Sequence, residues 1–405
     1  MVSAVKSSIE TLALFGGTPL FGEPKHVGRP NLGDRDALMR RIGEMLDRRW
    51  FTNNGPLVQE FEERLVELTG AKHAVAMCNA TVALDVAVRA IDLQGEVIVP
   101  SFTFVATPHA LQWQGITPVF CDVDPATHNM DPGRVEALIT PRTTGIIGVH
   151  VWGTPCDVEA LSAIAARRGL HLMFDAAHAL GCSHRGRPIG RFGEAEVFSF
   201  HATKFVNTFE GGAATTDDDR LAKRMRDMRN FGFSGYDRVD YLGINGKMPE
   251  VSAAMGLTSL ESKDAIIAVN LANYRAYTSG LSEIPGLTLL THDESESHNF
   301  QYIIVEVDAE ITGITRDLLI RLLHAENVLA RRYFYPGCHQ MEPYRSYFPH
   351  AGLLLPETEK LTQRVLSLPN GTAVTPEAVT QICRLIRFLV ENGESISTEA
   401  RQREA

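Results

Sequence analysis

Leu170-His171-Leu172-Met173-Phe174-Asp175-Ala176-Ala177-His178 is followed one strand later by Val197-Phe198-Ser199-Phe200-His201-Ala202-Thr203-Lys204 and by Glu210-Gly211-Gly212. Each of the first two stretches starts as an apolar run of strand length and ends in a residue able to do chemistry. The spacing, 204 − 175 = 29 residues, puts an acid at the end of one buried strand and a lysine on the loop after the next. A pyridoxal 5'-phosphate (PLP) site requires that arrangement. The lysine supplies the Schiff base, and the acid keeps a proton on the pyridine nitrogen so that the ring can accept a carbanion's electrons.

Working outward, the same alternation continues on both sides. Strands are expected at 73–77, 96–99, 118–122, 145–151, 170–175, 196–200 and 213–216, with helices at 81–91, 131–138 and 158–168 between several of them. Strand and helix taking turns predicts an α/β fold around a mostly parallel sheet covered on both faces. Asp131 with Pro132 after it marks a helix start. Ligands gather at the carboxyl ends of strands in such sheets, where Asp175 and Ser199 fall. Beyond about residue 257 the pattern changes to a long helix over 254–281, strands at 287–290, 301–307 and 328–334, and helices at 316–325 and 376–391. The expected division is a large domain over 1–257, a smaller C-terminal α+β domain over 258–392, and a polar tail over 393–405 that frays.

At 405 residues the chain exceeds one ordinary core. Its net charge of −10 gives no reason to expect nucleic acid or an anionic membrane as partner. The cysteines at 78, 121, 156, 182, 338 and 383 include no CxxC pair, which argues against a zinc site and a disulfide scaffold and for a reducing compartment. No apolar run reaches the ~18 residues of a membrane span, and Thr11–Phe15 is too short for a signal segment. The expected location is cytoplasmic.

Each chemical reading has an ordinary counterpart. Most lysines are solvated surface charges. Lys204, however, lies among Phe198, Phe200, Phe205 and Val206, where desolvation would lower its pKa and free its lone pair for a carbonyl. A strand-end aspartate often caps a helix, but Asp175 is followed by small residues that let a flat ring approach. His178 would more often be a packed core histidine; beside Asp175 it is placed to contact the ring's phenolic oxygen. Cys78-Asn79-Ala80-Thr81 opens a helix, whose free N–H groups and positive dipole end suit a phosphate, while Asn79 or Thr81 is equally an N-cap. Ser199 offers a hydroxyl to the same phosphate. Phe104 either lies flat on the ring or belongs to the core.

Taken together, these residues resemble the fold type I PLP enzymes, and within them the nucleotide-sugar aminotransferases of the DegT group. The resemblance runs through Gly16–Pro19, Phe51–Pro56, Pro100–Ala106, Asp175–His178, Ser199–Lys204, Glu210–Gly212, Arg229–Gly232, Gly243–Met248 and Tyr335-Pro336 with His339. It implies a seven-stranded large-domain sheet and PLP as cofactor. Lys204 matches the Schiff-base lysine and proton shuttle, Asp175 the pyridinium partner, His178 the phenolic-oxygen contact and Phe104 the stacking aromatic. Ala80, Thr81 and Ser199 match phosphate contacts. Asn245 matches a phosphate contact reaching in from a second subunit, so a homodimer with shared active sites is implied. The family's usual Ser-Gly-Thr is Asn79-Ala80-Thr81 here, and an arginine two residues after the cross-subunit asparagine is Lys247.

The implied reaction moves an amino group from L-glutamate to a nucleotide-linked keto-deoxysugar. His201-Ala202-Thr203-Lys204 with Phe209-Glu210-Gly211-Gly212 is more similar to the 4-aminotransferases than to the 3-aminotransferases, which makes dTDP-4-keto-6-deoxy-D-glucose the leading substrate. C3 keto-sugar and cyclitol aminotransferases are the alternative within the class. The related PLP-dependent sugar dehydratases replace the lysine by histidine, so Lys204 counts against them, and the Lys204–Asp175 pair counts against a non-catalytic PLP-binding regulator. Tyr335, His339 and the 231–242 loop are candidates for the sugar pocket.

Overall fold

The expected apolar runs assemble into one sheet in the computed structural model, which describes residues 6–404. The strands are β1 (His73–Met77), β2 (Glu96–Pro100), β3 (Thr117–Cys121), β4 (Thr143–Val149), β5 (His171–Asp175), β6 (Glu196–Ser199) and β7 (Gly212–Thr216). They lie in the order β1-β7-β6-β5-β4-β2-β3. β7 runs antiparallel to both neighbours and the other pairings are parallel. Burial explains why these strands read as continuous apolar runs: β2 and β7 are buried at every position because both faces of the sheet are covered. In β1, Ala74 and Ala76 join the core on one face while Val75 and Met77 join the core on the other.

The covering helices include α1 (Ala80–Ile91), α2 (Ala106–Gln112), α3 (Pro132–Leu138) and α4 (Val158–Arg168). α3 starts where Asp131 and Pro132 direct it, with the Asp131 carboxylate accepting from Gly133 N at 2.8 Å. The expected long helix is instead two, α5 (Glu250–Glu261) and α6 (Lys263–Leu281). The break falls at Ser262, whose hydroxyl bonds back to the Thr258 carbonyl at 3.2 Å. Such bonds compete with the helical ladder and bend it.

A second sheet, antiparallel, contains β8 (Leu287–Leu289), β9 (Ile303–Val307) and β10 (Val365–Leu368), packed with α7 (Arg316–Ala325), α8 (Pro376–Glu391) and α9 (Gly393–Glu404). Five features differ from expectation. The strand expected over 328–334 survives only as Val328–Leu329, which pairs in parallel with Lys25–His26. β10 had no counterpart among the expected strands. The tail expected to fray forms α9, because Ile396 and Ala400 are apolar positions a turn apart that bury against the second core. The N-terminal Leu12, Phe15, Leu20 and Phe21 also join that second core, not the first. The 257/258 boundary falls inside α5, and Ile266 still belongs to the first core. Residues 1–5 of the expected large domain and Ala405 of the expected tail lie outside the described residues. No helix among the described residues is long and apolar enough to cross a membrane.

Candidate active site

Asp175 ends β5 and is buried, 5% exposed. Each of its oxygens receives one protein donor: Ala177 N reaches Oδ1 at 3.0 Å and Thr107 Oγ1 reaches Oδ2 at 2.8 Å. Burial pushes its pKa up, and the Thr107 and Ala177 hydrogen bonds and the Lys204 charge oppose that. A carboxylate accepts up to about four hydrogen bonds, so each oxygen keeps capacity for another donor.

Lys204 follows β6 on a loop whose next residues, Phe205 and Val206, are buried, while Lys204 itself is half-buried. Desolvation lowers its pKa to about 8, with Asp175 pulling the other way. The two groups therefore share one electrostatic neighbourhood. Near neutral pH a sizeable minority of the amine is uncharged and nucleophilic. Its Nζ donates to Tyr302 Oη at 3.2 Å.

His178 packs beside two nearly parallel aromatic rings that also stack on each other, with the Trp152 ring at 5.8 Å and 17° and the Phe334 ring at 5.9 Å and 12°. Its Nδ1 accepts from Trp152 N at 3.2 Å, which puts the proton of the neutral imidazole on Nε2. Burial holds its pKa well below the usual value, and Lys204 adds to this. A neutral imidazole with a free N–H suits an anionic oxygen acceptor.

The phosphate candidates meet at one edge. Gly212 of β7 lies opposite both Met77 at the end of β1 and Ser199 at the end of β6. Three adjacent strands thus place the Ser199 hydroxyl beside the chain that turns into α1. A Cβ at Gly212 would lie 2.5 Å from Ala80 N, so only glycine lets β7 pass this close to the helix start. Asn79 caps α1, its Oδ1 accepting from Val82 N at 2.8 Å, and Ala80 and Thr81 fill the first turn. Asn245 is not brought to this edge by any bond of its own side chain. It is exposed and bridges to Asn230 through the backbone.

Phe104 is 59% exposed. It lines a cleft of about 920 Å³ with Thr103, Arg331, Arg332, Tyr333 and Tyr335, between the large sheet and the second domain. Thr103 connects this cleft to Asp175, since its hydroxyl lies 3.2 Å from that of Thr107. On the other side Tyr333 lies 6.3 Å from the Tyr302 ring, which contacts Lys204. Of the sugar-pocket candidates, Tyr335 lines the cleft. His339 is instead buried, its Nδ1 at 2.6 Å from Ser101 Oγ and its Nε2 at 2.8 Å from Glu359. His201 turns its Nδ1 to Thr203 at 2.8 Å and its Nε2 toward Glu210 at 3.5 Å. Part of the 231–242 loop is a hairpin of Phe233–Gly235 and Arg238–Val239.

Thr107, Trp152, Gln301 and Tyr302 were not among the residues singled out in the sequence. Thr107 directly follows the Pro100–Ala106 motif, which was its one available signal. Trp152 sits just past β4 with φ 64°, a conformation no apolar pattern announces.

The donor set fits PLP: an amine with lowered pKa, a buried carboxylate with spare acceptor capacity, an N–H on His178 and a helix start beside a serine hydroxyl. The chain's residues 34–387 match the model of the DegT/DnrJ/EryC1/StrS aminotransferase family. The chain belongs to this family. Among its relatives, dTDP-4-amino-4,6-dideoxy-D-glucose transaminase of Escherichia coli is 35% identical over 363 residues, 89% of this chain and 97% of that one. Among solved structures, DesI in the presence of its TDP-sugar product superposes with a TM-score of 0.94 at 51% identity, covering 97% of this chain and 100% of DesI. PseC of Helicobacter pylori, an aminotransferase involved in pseudoaminic acid biosynthesis, gives 0.84 at 27% identity, covering 90% and 99%. The fold type I architecture is common to these sugar aminotransferases and to this family member.

Proposed function

We propose that this chain is a PLP-dependent sugar aminotransferase that moves the amino group of L-glutamate to C4 of dTDP-4-keto-6-deoxy-D-glucose, acting in the cytoplasm as a homodimer. The observation that carries the chemistry is that Lys204, on the loop after β6, and Asp175, at the end of the adjacent β5, lie within electrostatic reach of each other at the carboxyl edge of the sheet, the amine's pKa lowered to about 8 by burial. The choice of sugar rests on the names of the relatives and on the cleft.

When bound, PLP supplies an aldehyde that condenses with amines and a ring that accepts electrons as a proton leaves. The chain does the rest. Lys204 would hold the cofactor through its amine, whose lowered pKa leaves a lone pair free for the aldehyde, and would be the group that carries the α-proton. Asp175 would hold the pyridine nitrogen's proton through its remaining acceptor capacity, a charge-assisted bond of the stronger kind. His178 Nε2–H would be the donor for the phenolic oxygen, and exposed Phe104 the aromatic against the ring. Ser199, Ala80 and Thr81 would hold the phosphate, joined by Asn245 of the second copy. The cleft beside Phe104 takes the nucleotide-linked sugar. There Arg331 lies 5.2 Å over the Tyr333 ring, an orientation that suits a diphosphate, while Arg332, 4.5 Å over Tyr335, is also paired with Asp317 at 3.3 Å.

The test is to incubate the PLP-loaded protein with glutamate and a panel of nucleotide-linked 3-keto and 4-keto sugars, then locate the new nitrogen by NMR. Nitrogen at C4 of the dTDP sugar is expected. Nitrogen at C3, or no transfer from glutamate to any 4-keto sugar, would overturn the proposal.

A further inference from the structure

Besides Phe334, which packs on His178, the second domain meets the two reactive loops through a short segment, Asn299-Phe300-Gln301-Tyr302, which leads into β9. Its side chains grip both loops. Asn299 Nδ2 donates to the His178 carbonyl at 2.8 Å and to the Leu180 carbonyl at 3.1 Å. Gln301 Nε2 donates to the Thr203 carbonyl at 2.9 Å, and Gln301 Oε1 accepts from Phe205 N at 3.3 Å. Tyr302 Oη takes the N–H of Lys204 Nζ at 3.2 Å, and its ring packs 4.5 Å from the His178 ring. Three consecutive residues, 203, 204 and 205, are therefore held by two neighbouring side chains.

The segment is itself braced from behind by buried amides. Asn270 of α6 donates to the Asn299 carbonyl at 2.9 Å. Asn370 donates to the carbonyls of Phe300 at 2.6 Å and Gln301 at 3.2 Å, and Asn273 donates to Asn370 Oδ1 at 3.1 Å. Asn270, Asn273, Asn299 and Asn370 are at most 4% exposed. Asn270 Oδ1 and Asn273 Oδ1 have no partner among the described residues. Burying amides with unpartnered oxygens disfavours folding relative to an apolar core of the same shape. Phe300 adds a backbone conformation that residues with side chains rarely adopt, φ 48°. A connector whose role was only to join two domains gains nothing from either feature.

We propose that Asn299–Tyr302 is a strap by which the second domain positions Lys204 and His178, with Gln301 holding the backbone on both sides of Lys204 and Tyr302 aiming its amine. Donating one N–H to Tyr302 settles where the remaining N–H bonds and the lone pair of Nζ point. Gln301 fixes the loop that carries Lys204. Both are positioning residues, acting through Lys204, and the reading rests on the aminotransferase function proposed above.

The test pairs two variants. In Gln301→Leu, which keeps the bulk and loses both bonds, hydrogen exchange of the Phe205 amide in the full-length protein should quicken about tenfold or more, since a net hydrogen bond is worth about that factor. In Tyr302→Phe, which removes one oxygen, that exchange should stay as in wild type. Its kcat for glutamate-driven turnover should instead fall roughly 10- to 100-fold, the scale of proton-transfer contributions, with the glutamate KM within about twofold. A Gln301→Leu protein with wild-type exchange at Phe205, or a Tyr302→Phe enzyme with wild-type kcat, would overturn the strap. A variant that failed to fold would show quickened exchange across β1–β7 as well, and Gln301→Glu, which keeps the acceptor for Phe205 N, then decides: slow exchange at Phe205 supports the strap and fast exchange refutes it. The exchange arm needs no cofactor. If wild type gained no visible band with PLP, the functional proposal would fail while the strap was still tested.

Discussion

Two buried carboxylates stand one residue apart in register on adjacent strands, and they do opposite things. Glu196 opens β6 opposite Phe174, while Asp175 ends β5 opposite Val197, so the two side chains leave the sheet on opposite faces. Glu196 is 0% exposed and fully engaged. His150 Nε2 lies 2.9 Å from its Oε1, and Oε2 accepts from Phe192 N at 2.8 Å and from Gly190 N. His150 in turn stacks on Phe174 at 4.8 Å and accepts from Cys156 N at 3.0 Å. Asp175 has one donor per oxygen and a neighbouring lysine. Burial alone does not mark a functional acid. What separates them is acceptor capacity: Glu196 has spent most of its capacity on the fold, and Asp175 has kept some for a ligand.

The comparison can be broken in several ways. Lys204→Ala removes the one group for which the Asp175 side is arranged, and amino-sugar formation should fall by roughly 10⁴-fold or more. Retained turnover would show that the open side of the sheet is not the reactive one. Asp175→Asn keeps the shape and the Thr107 bond but loses the charge. Turnover should drop about 10²- to 10³-fold, the scale of a preorganised electrostatic contact, with the melting temperature little changed. Glu196→Ala should show the opposite pattern. It strands the Gly190 and Phe192 amides and His150, so unfolding in denaturant should show a loss of about 3 kcal/mol or more, while folded enzyme keeps its turnover within about threefold. A Glu196 variant that is stable but inactive would erase the distinction.

Two smaller effects sharpen it. A lysine pKa lowered to about 8 means that the amine loses its proton as pH rises through 8. The rate at which the apoprotein gains its visible band with PLP should therefore climb about tenfold per pH unit below 8 and level off above it. A rate flat from pH 6 to 9 would contradict the lowered pKa. Thr107→Val removes one donor from Asp175 and shifts its balance toward the neutral acid, because burial is then less opposed. The PLP dissociation constant should rise several-fold, roughly the worth of one hydrogen bond to a charged group, and Thr107→Ser should restore it.

Much of this was legible before any coordinates. Each strand of the large sheet is buried on both faces, so it announced itself as a short apolar run, and the chemistry-bearing residues stood where those runs stop. Asp131-Pro132 and Asn79 were readable because helix caps restrict residue type locally, whereas the close approach at Gly212 emerged only in the structure. The second domain was harder. β10 is a four-residue run that an adjoining helix, Pro356–Arg364, runs into without a turn signal. α9 looked like a polar tail because only Ile396 and Ala400 mark its buried side. The Ser262 break is a single hydroxyl within an otherwise helical pattern. The strap was invisible for a different reason. Asn299 and Gln301 are ordinary polar residues in sequence, and their partners lie 121 and 98 residues away.

The sequence by itself therefore determined the mostly parallel sheet, the order of its strands along the chain, the acid that ends one of them and the lysine on the loop after the next, because burial and backbone geometry act over a few residues. Tertiary structure alone decided which carboxylate stays available, which tautomer His178 holds, and which segment of the second domain reaches Lys204. Those depend on hydrogen bonds between residues far apart in the chain, and a hydrogen bond leaves no periodic trace in the sequence of either partner.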